Sequence, residues 1–138
     1  MNKPIITIET IVNASIKKVW KYWNSPEHIQ RWNHASEDWH TTRAEVDLRK
    51  KGAFMYRMEA KDGTQGFDFK GVYTRVVLNE LIEYTLEDNR TVKINFATNC
   101  DQTHIEESFE TEDQNTAELQ RAGWQAILDN FKHYTETN

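Results

Sequence analysis

The sequence predicts an α+β fold: a curved antiparallel sheet of about six or seven strands wrapped around a long C-terminal helix, with two short helices after the first strand. Three observations predict it. Apolar and polar residues alternate from about Arg43 to Glu110. No proline interrupts the chain between Thr41 and Glu110, which suits paired strands. From Thr116 the apolar residues recur with a helical period instead.

Ile5 to Val12 reads as the first strand, with Ile6, Ile8 and Val12 on one face and Glu9 on the other. Asn13-Ala14-Ser15 offers capping groups for a helix through Trp23, whose Ile16, Val19, Trp20 and Trp23 share a face. Ser25-Pro26 opens a second helix through Trp32, because proline at the first helical position needs no N–H. Ala44, Val46 and Leu48 then alternate with Glu45, Asp47 and Arg49, and Gly52 marks a turn. Phe54, Tyr56 and Met58 form the next strand face. Asp62-Gly63 supplies the positive φ of a tight hairpin. Phe67, Phe69 and Tyr73 follow, with Gly71 as a bulge or bend. Leu81 to Leu86 is another strand, and Val92, Ile94 and Phe96 share the face of the next. Ile105, Glu107 and Phe109 share the face of the last.

The C-terminal helix is capped by Asn115 or Thr116, with Glu118 in the place of a capping-box carboxylate. Leu119, Trp124, Ile127, Leu128, Phe131 and Tyr134 lie on its apolar side. Arg121, Gln125, Asp129 and Lys132 lie on the other. Gly123 in mid-helix costs roughly 1 kcal/mol relative to alanine. That cost predicts close approach of the sheet or of a ligand.

The 138 residues read as one domain, residues 1–138. The net charge of −5 and scattered basic residues argue against nucleic acid as a partner. No run approaches the length of a membrane span, and Met1-Asn2-Lys3-Pro4 carries no signal-like apolar stretch. The single cysteine, Cys100, excludes an internal disulfide framework and suits a reducing compartment, so a cytoplasmic protein is expected. Aromatic residues make up 12% of the chain, against a mean hydropathy of −0.82. Rings at this density serve as pocket walls or as core filling.

The inward face of the sheet supplies the candidate cavity residues Tyr56, Met58, Phe67, Phe69 and Tyr73. Tyr84, Phe96 and Phe109 continue it, and the helix adds Trp124, Ile127 and Leu128. They predict either a solid core or a cavity on the order of a few hundred Å3 for an apolar or aromatic ligand. Glu107 sits between Ile105 and Phe109 on that face. A buried carboxylate is costly unless paired, and burial raises its pKa, so Glu107 is the candidate ligand anchor, or acid or base. Pairing with a neighbour, or a place at the sheet rim, is the structural alternative. Thr10 and Thr103 are candidates to add hydroxyls. The segment from Trp32 to His40 is expected to form the cavity mouth, with Trp32 and Trp39 as lid or core rings. His34, Glu37, Asp38 and His40 match no zinc spacing, so no metal and no cofactor is expected. Asp47 and Arg49 are expected to pair on the outward face, with a docking surface as the alternative.

Several of these stretches resemble the SRPBCC superfamily, also called START-like or helix-grip, in the branch named after activators of the heat-shock chaperone ATPase. They are Val12-Asn13-Ala14-Ser15 with Val19-Trp20, Ser25-Pro26-Glu27-His28-Ile29 with Trp32, and Asp47-Leu48-Arg49 with Gly52 and Phe54. Met58-Glu59-Ala60-Lys61-Asp62-Gly63, Gly66-Phe67-Asp68-Phe69 and Gly123-Trp124 continue the likeness almost end to end. Ser15 stands where the family commonly has a helix-opening proline, and Lys51-Gly52 where it has paired glycines. The resemblance implies a hollow helix-grip domain and, as function, small-molecule binding. A co-chaperone module with a chaperone partner is the alternative, and a cyclase- or dehydratase-like enzyme using Glu107 the third reading.

Overall fold

A computed structural model describes residues 3–138. Met1 and Asn2, half of the stretch read for a signal, lie outside the described residues. The first strand β1 (Ile5–Val12) is followed by α1 (Ile16–Asn24) and α2 (Pro26–Trp32). Six more strands follow: β2 (Trp39–Val46), β3 (Ala53–Ala60), β4 (Gly66–Val77), β5 (Leu81–Leu86), β6 (Thr91–Asn99) and β7 (Gln102–Glu110). The chain then forms α3 (Ala117–Thr137). The seven strands make one sheet in the order β1-β7-β6-β5-β4-β3-β2, with every neighbouring pair antiparallel. The first strand thus pairs with the last, and the sheet curves so that its inner face receives α3 and the two short helices.

Local chemistry explains the elements. The Ser15 hydroxyl accepts from the Lys18 N–H at 3.3 Å and caps α1. Pro26 opens α2. The Thr116 hydroxyl accepts from the Leu119 N–H at 3.1 Å and caps α3. Glu118 does not complete a capping box: it is the second helical residue, one short of the required position. Glu112 organises the approach instead, accepting from the N–H groups of Gln114 and Asn115.

Two register shifts bend the sheet, in β2 between Thr41 and Arg43 and in β4 between Tyr73 and Arg75. A bulge adds local twist, so the long β4 can turn toward the helix. Gly71 lies just before the β4 irregularity. A Cβ there would sit 2.6 Å from the Thr85 carbonyl oxygen and 3.0 Å from the Phe54 ring, so close packing requires the glycine. Gly63 turns the β3–β4 connection at φ +79°.

Several expectations need correction. β2 begins at Trp39, so the mouth segment is shorter than expected and Trp39 and His40 are strand residues. Asp47 and Arg49 lie beyond the end of β2, paired at 2.9 Å in the turn. Leu119 is 60% exposed, whereas its neighbour Gln120 is buried. Gly123 meets no close neighbour: a Cβ would enter open space.

The core lies between the sheet and the helices. Ile8, Val12, Ile82, Val92, Ile94 and Ile105 supply its floor, and Val19, Ile29, Leu128 and Phe131 its cover. His28 Nδ1 and the Tyr134 hydroxyl, 2.7 Å apart, tie α2 to α3. The Tyr22 ring stacks on His28 with centroids 3.9 Å apart.

Candidate functional site

Beneath α3 the packing leaves an internal cavity of about 70 Å3. One water needs at least roughly 10–15 Å3 of such space, so the cavity has room for a compact molecule. Side chains from nearly every layer converge on it. The helices α1 and α2 and the turn after them contribute Trp23, Trp32 and Asn33. The sheet contributes Tyr56 and Met58 from β3, Phe69 from β4, Tyr84 from β5, Ile94 from β6 and Glu107 from β7. Trp124 and Ile127 close it from α3.

The volume corrects the expectation of a few hundred Å3. Rings occupy the missing space. Trp124 lies flat on Phe109, with centroids 4.0 Å apart and planes 10° from parallel. Phe69 meets Trp124 at 6.0 Å and 75°, and Tyr84 at 6.5 Å and 87°. Phe69 therefore stands near right angles to Trp124 and Tyr84, while Tyr56 lies at 29° to it and Trp23 at 36° to Trp32.

Glu107 is the polar feature. It is 6% exposed, and burial alone pushes its carboxyl up to about 8, with no hydrogen bond or nearby cation to hold it down. Among the described residues the one fully enclosed side-chain polar atom without a partner is Thr135 Oγ1. The unpartnered Glu107 oxygens therefore retain a little access, and the space they open onto is the cavity they line. Tyr56 and Tyr84 face the same region. Burial and the nearby Glu107 push both phenols well above their ordinary value, so they stay neutral. At neutral pH the group is a carboxylic acid able to donate to a carbonyl. Above about pH 8 it is a carboxylate able to accept a proton or face a cation.

Of the fourteen residues that the sequence nominated for a cavity, eight line this one: Trp32, Tyr56, Met58, Phe69, Tyr84, Glu107, Trp124 and Ile127. The other six do not. Trp39 packs on Phe67 at 5.9 Å near the open end of the sheet, where Phe67 stays 46% exposed. Tyr73 packs against Phe54 at 5.3 Å and is not among the lining residues. Phe96 meets Trp20 and Trp23 edge-on at 5.3 and 5.6 Å. Phe109 lies under Trp124, and Leu128 is buried in the core. Thr103 is also elsewhere: it is buried and donates to the Ala14 carbonyl at 2.9 Å. Thr10 is not among the lining residues.

Trp23, Asn33 and Ile94 complete the lining, and sequence reasoning does not nominate them. Trp23 and Ile94 stand on the correct faces in the sequence, but only the tertiary fold shows that they reach the cavity. Asn33 is held by Thr41, its Nδ2 donating to Thr41 Oγ1 at 3.1 Å and its carbonyl accepting from that hydroxyl at 2.6 Å. Among the described residues the group with ligand atoms close enough for a metal is Glu9, His104 and Glu106, not the His34–His40 segment. It is an outer-surface cluster of β1 and β7 in which Glu9 and His104 face each other at 3.4 Å.

A curved antiparallel sheet, a long covering helix and a small polar-anchored cavity define a helix-grip domain. The chain belongs to the family described as activator of Hsp90 ATPase homolog 1-like protein, which matches residues 13–136. It is similar to the AHSA1-like protein from Aeromonas hydrophila, with 46% identity over 97% of this chain and 93% of that one, at a TM-score of 0.91. It is also similar to Chr148 from Cytophaga hutchinsonii, with 54% identity over 100% and 94% of the two chains, at a TM-score of 0.84. Protein CV1439 from Chromobacterium violaceum shares the fold at 22% identity and a TM-score of 0.87, over 98% and 99% of the two chains. No curated protein matches. Among the described residues no helix is long and apolar enough to cross a membrane.

Proposed function

We propose that the chain is a small-molecule-binding protein that holds a compact apolar or aromatic ligand in the cavity under Trp124. The observation that carries this reading is the unpartnered Glu107 carboxyl opening onto a space walled by aromatic rings. A buried polar group without a partner costs stability, and a ligand that supplies the partner recovers it. Ring contact would contribute roughly 25 cal/mol per Å2 of apolar surface covered. The exposed free thiol of Cys100 suits a reducing compartment, which supports a cytoplasmic setting for this binding.

Native mass spectrometry of protein purified without denaturation, combined with an NMR screen of fragments of about five to seven heavy atoms, tests this. Support is a bound mass, or fragments that shift the indole signals of Trp23, Trp32 and Trp124 together. An empty protein with no responding fragment would overturn it.

Family membership favours a second reading, an interaction module that stimulates a chaperone ATPase. Pull-down of an Hsp90-type chaperone and a rise in its ATP turnover on adding this chain would support it. Absence of both would remove it.

A further inference from the structure

We propose that the ligand is a small organic cation of the alkylammonium class, surrounded by the aromatic walls with its charge facing Glu107. This rests on the cavity reading above and specifies its ligand.

Six of the eleven lining residues are aromatic: Trp23, Trp32, Tyr56, Phe69, Tyr84 and Trp124. Aromatic faces carry negative potential and attract a cation within about 6 Å of the ring centre, most strongly where water is excluded. Phe69, Trp124 and Tyr84 meet near right angles, so a compact cation beside them can touch more than one ring at once. A methylated ammonium also presents an apolar surface to Met58, Ile94 and Ile127.

The charge inventory points the same way. Among the described residues no lysine, arginine or histidine lines the cavity. The groups facing Glu107 from α1, α2 and α3 are uncharged. The titratable groups from the sheet are the phenols of Tyr56 and Tyr84, which stay neutral. The one formal charge the site can carry is therefore negative, and it has no counter-ion. An anionic ligand would find no cation among the lining residues to pair with. A neutral carbonyl compound would use the acid as a donor but gain nothing from the charge-attracting rings. A cavity of about 70 Å3 also suits a compact ligand rather than a lipid chain.

Proton linkage supplies a signature. In the empty protein the Glu107 carboxyl holds its proton up to about pH 8. A cation favours the ionised form, so binding expels that proton. Affinity for a cation of fixed charge should rise about tenfold per pH unit from pH 6 to about 8 and then level off. Affinity for a neutral ligand should not follow that curve.

The test is an NMR titration with tetramethylammonium and tert-butanol, two probes of similar shape and five heavy atoms each. Expected is a wild-type preference for tetramethylammonium of about tenfold or more at pH 8, with the stated pH dependence. Glu107→Gln should abolish that preference and flatten the rise of tetramethylammonium affinity with pH. Equal or tighter wild-type binding of tert-butanol would overturn the cation inference and leave the cavity reading standing. If neither probe shifts the cavity signals, both fall. The wild-type pH series keeps the inference falsifiable should Glu107→Gln fold poorly.

Discussion

Replacing Glu107 with glutamine keeps the shape of the cavity wall and removes its titration. Burial raises the folded carboxyl from 4.5 to about 8. Below pH 4.5 both folded and unfolded chains hold the proton, and the group costs nothing through linkage. Between pH 4.5 and 8 the unfolded chain releases the proton while the folded chain keeps it, so stability falls as pH rises. Each pH unit is worth 1.36 kcal/mol. Wild type thus loses on the order of 3 kcal/mol from this group by pH 7, and about 5 kcal/mol by pH 8. Domains of this kind have roughly 5–15 kcal/mol in total, so the loss is large. The glutamine amide carries its own burial cost, but that cost does not change with pH. His28 and His34, both lowered by burial, titrate in the two proteins alike and cancel in the difference. Urea unfolding followed by tryptophan fluorescence from pH 4.5 to 8.5 should show Glu107→Gln gaining steadily on wild type and then running parallel above pH 8. Two curves that stay parallel throughout would refute the reasoning, because Glu107 would then titrate normally.

Other substitutions test the packing. Gly123→Ala should stabilise the protein by about 0.5–1 kcal/mol, since its Cβ enters open space in a helix. Gly71→Ala should destabilise it by roughly 1–3 kcal/mol, since its Cβ would strike Thr85 and Phe54; thermal unfolding reads both. Lys51 holds φ 73°, so Lys51→Gly should raise stability by up to about 1 kcal/mol in urea titrations. Thr116→Ala removes the α3 cap and should cost about 1 kcal/mol, with faster amide exchange in the first turn.

Much of the fold is legible in the sequence because the sheet's inner face has a strict period. The parity of Ile105, Glu107 and Phe109 puts Glu107 inward, and the structure buries all three. Parity does not say how far an element is covered. Phe67 has the correct face and is still 46% exposed. Depth is equally hidden: Phe109 and Trp124 both point inward, yet one lies beneath the other and only Trp124 reaches the cavity. Gly123 misleads because a helix glycine signals close approach only when something approaches, and here nothing does. The departure at Lys51 is visible in the sequence. Its consequence, a lysine in the left-handed region, needs coordinates.

The most direct measurement is the carboxyl 13C resonance of Glu107, followed by NMR through a pH titration without and then with tetramethylammonium. The expected midpoint is near 8 in the empty protein, moving down by at least about two pH units when the cavity is occupied. A midpoint near the ordinary carboxylate range, or one unmoved at saturating cation, would contradict a cavity anchored by a desolvated acid.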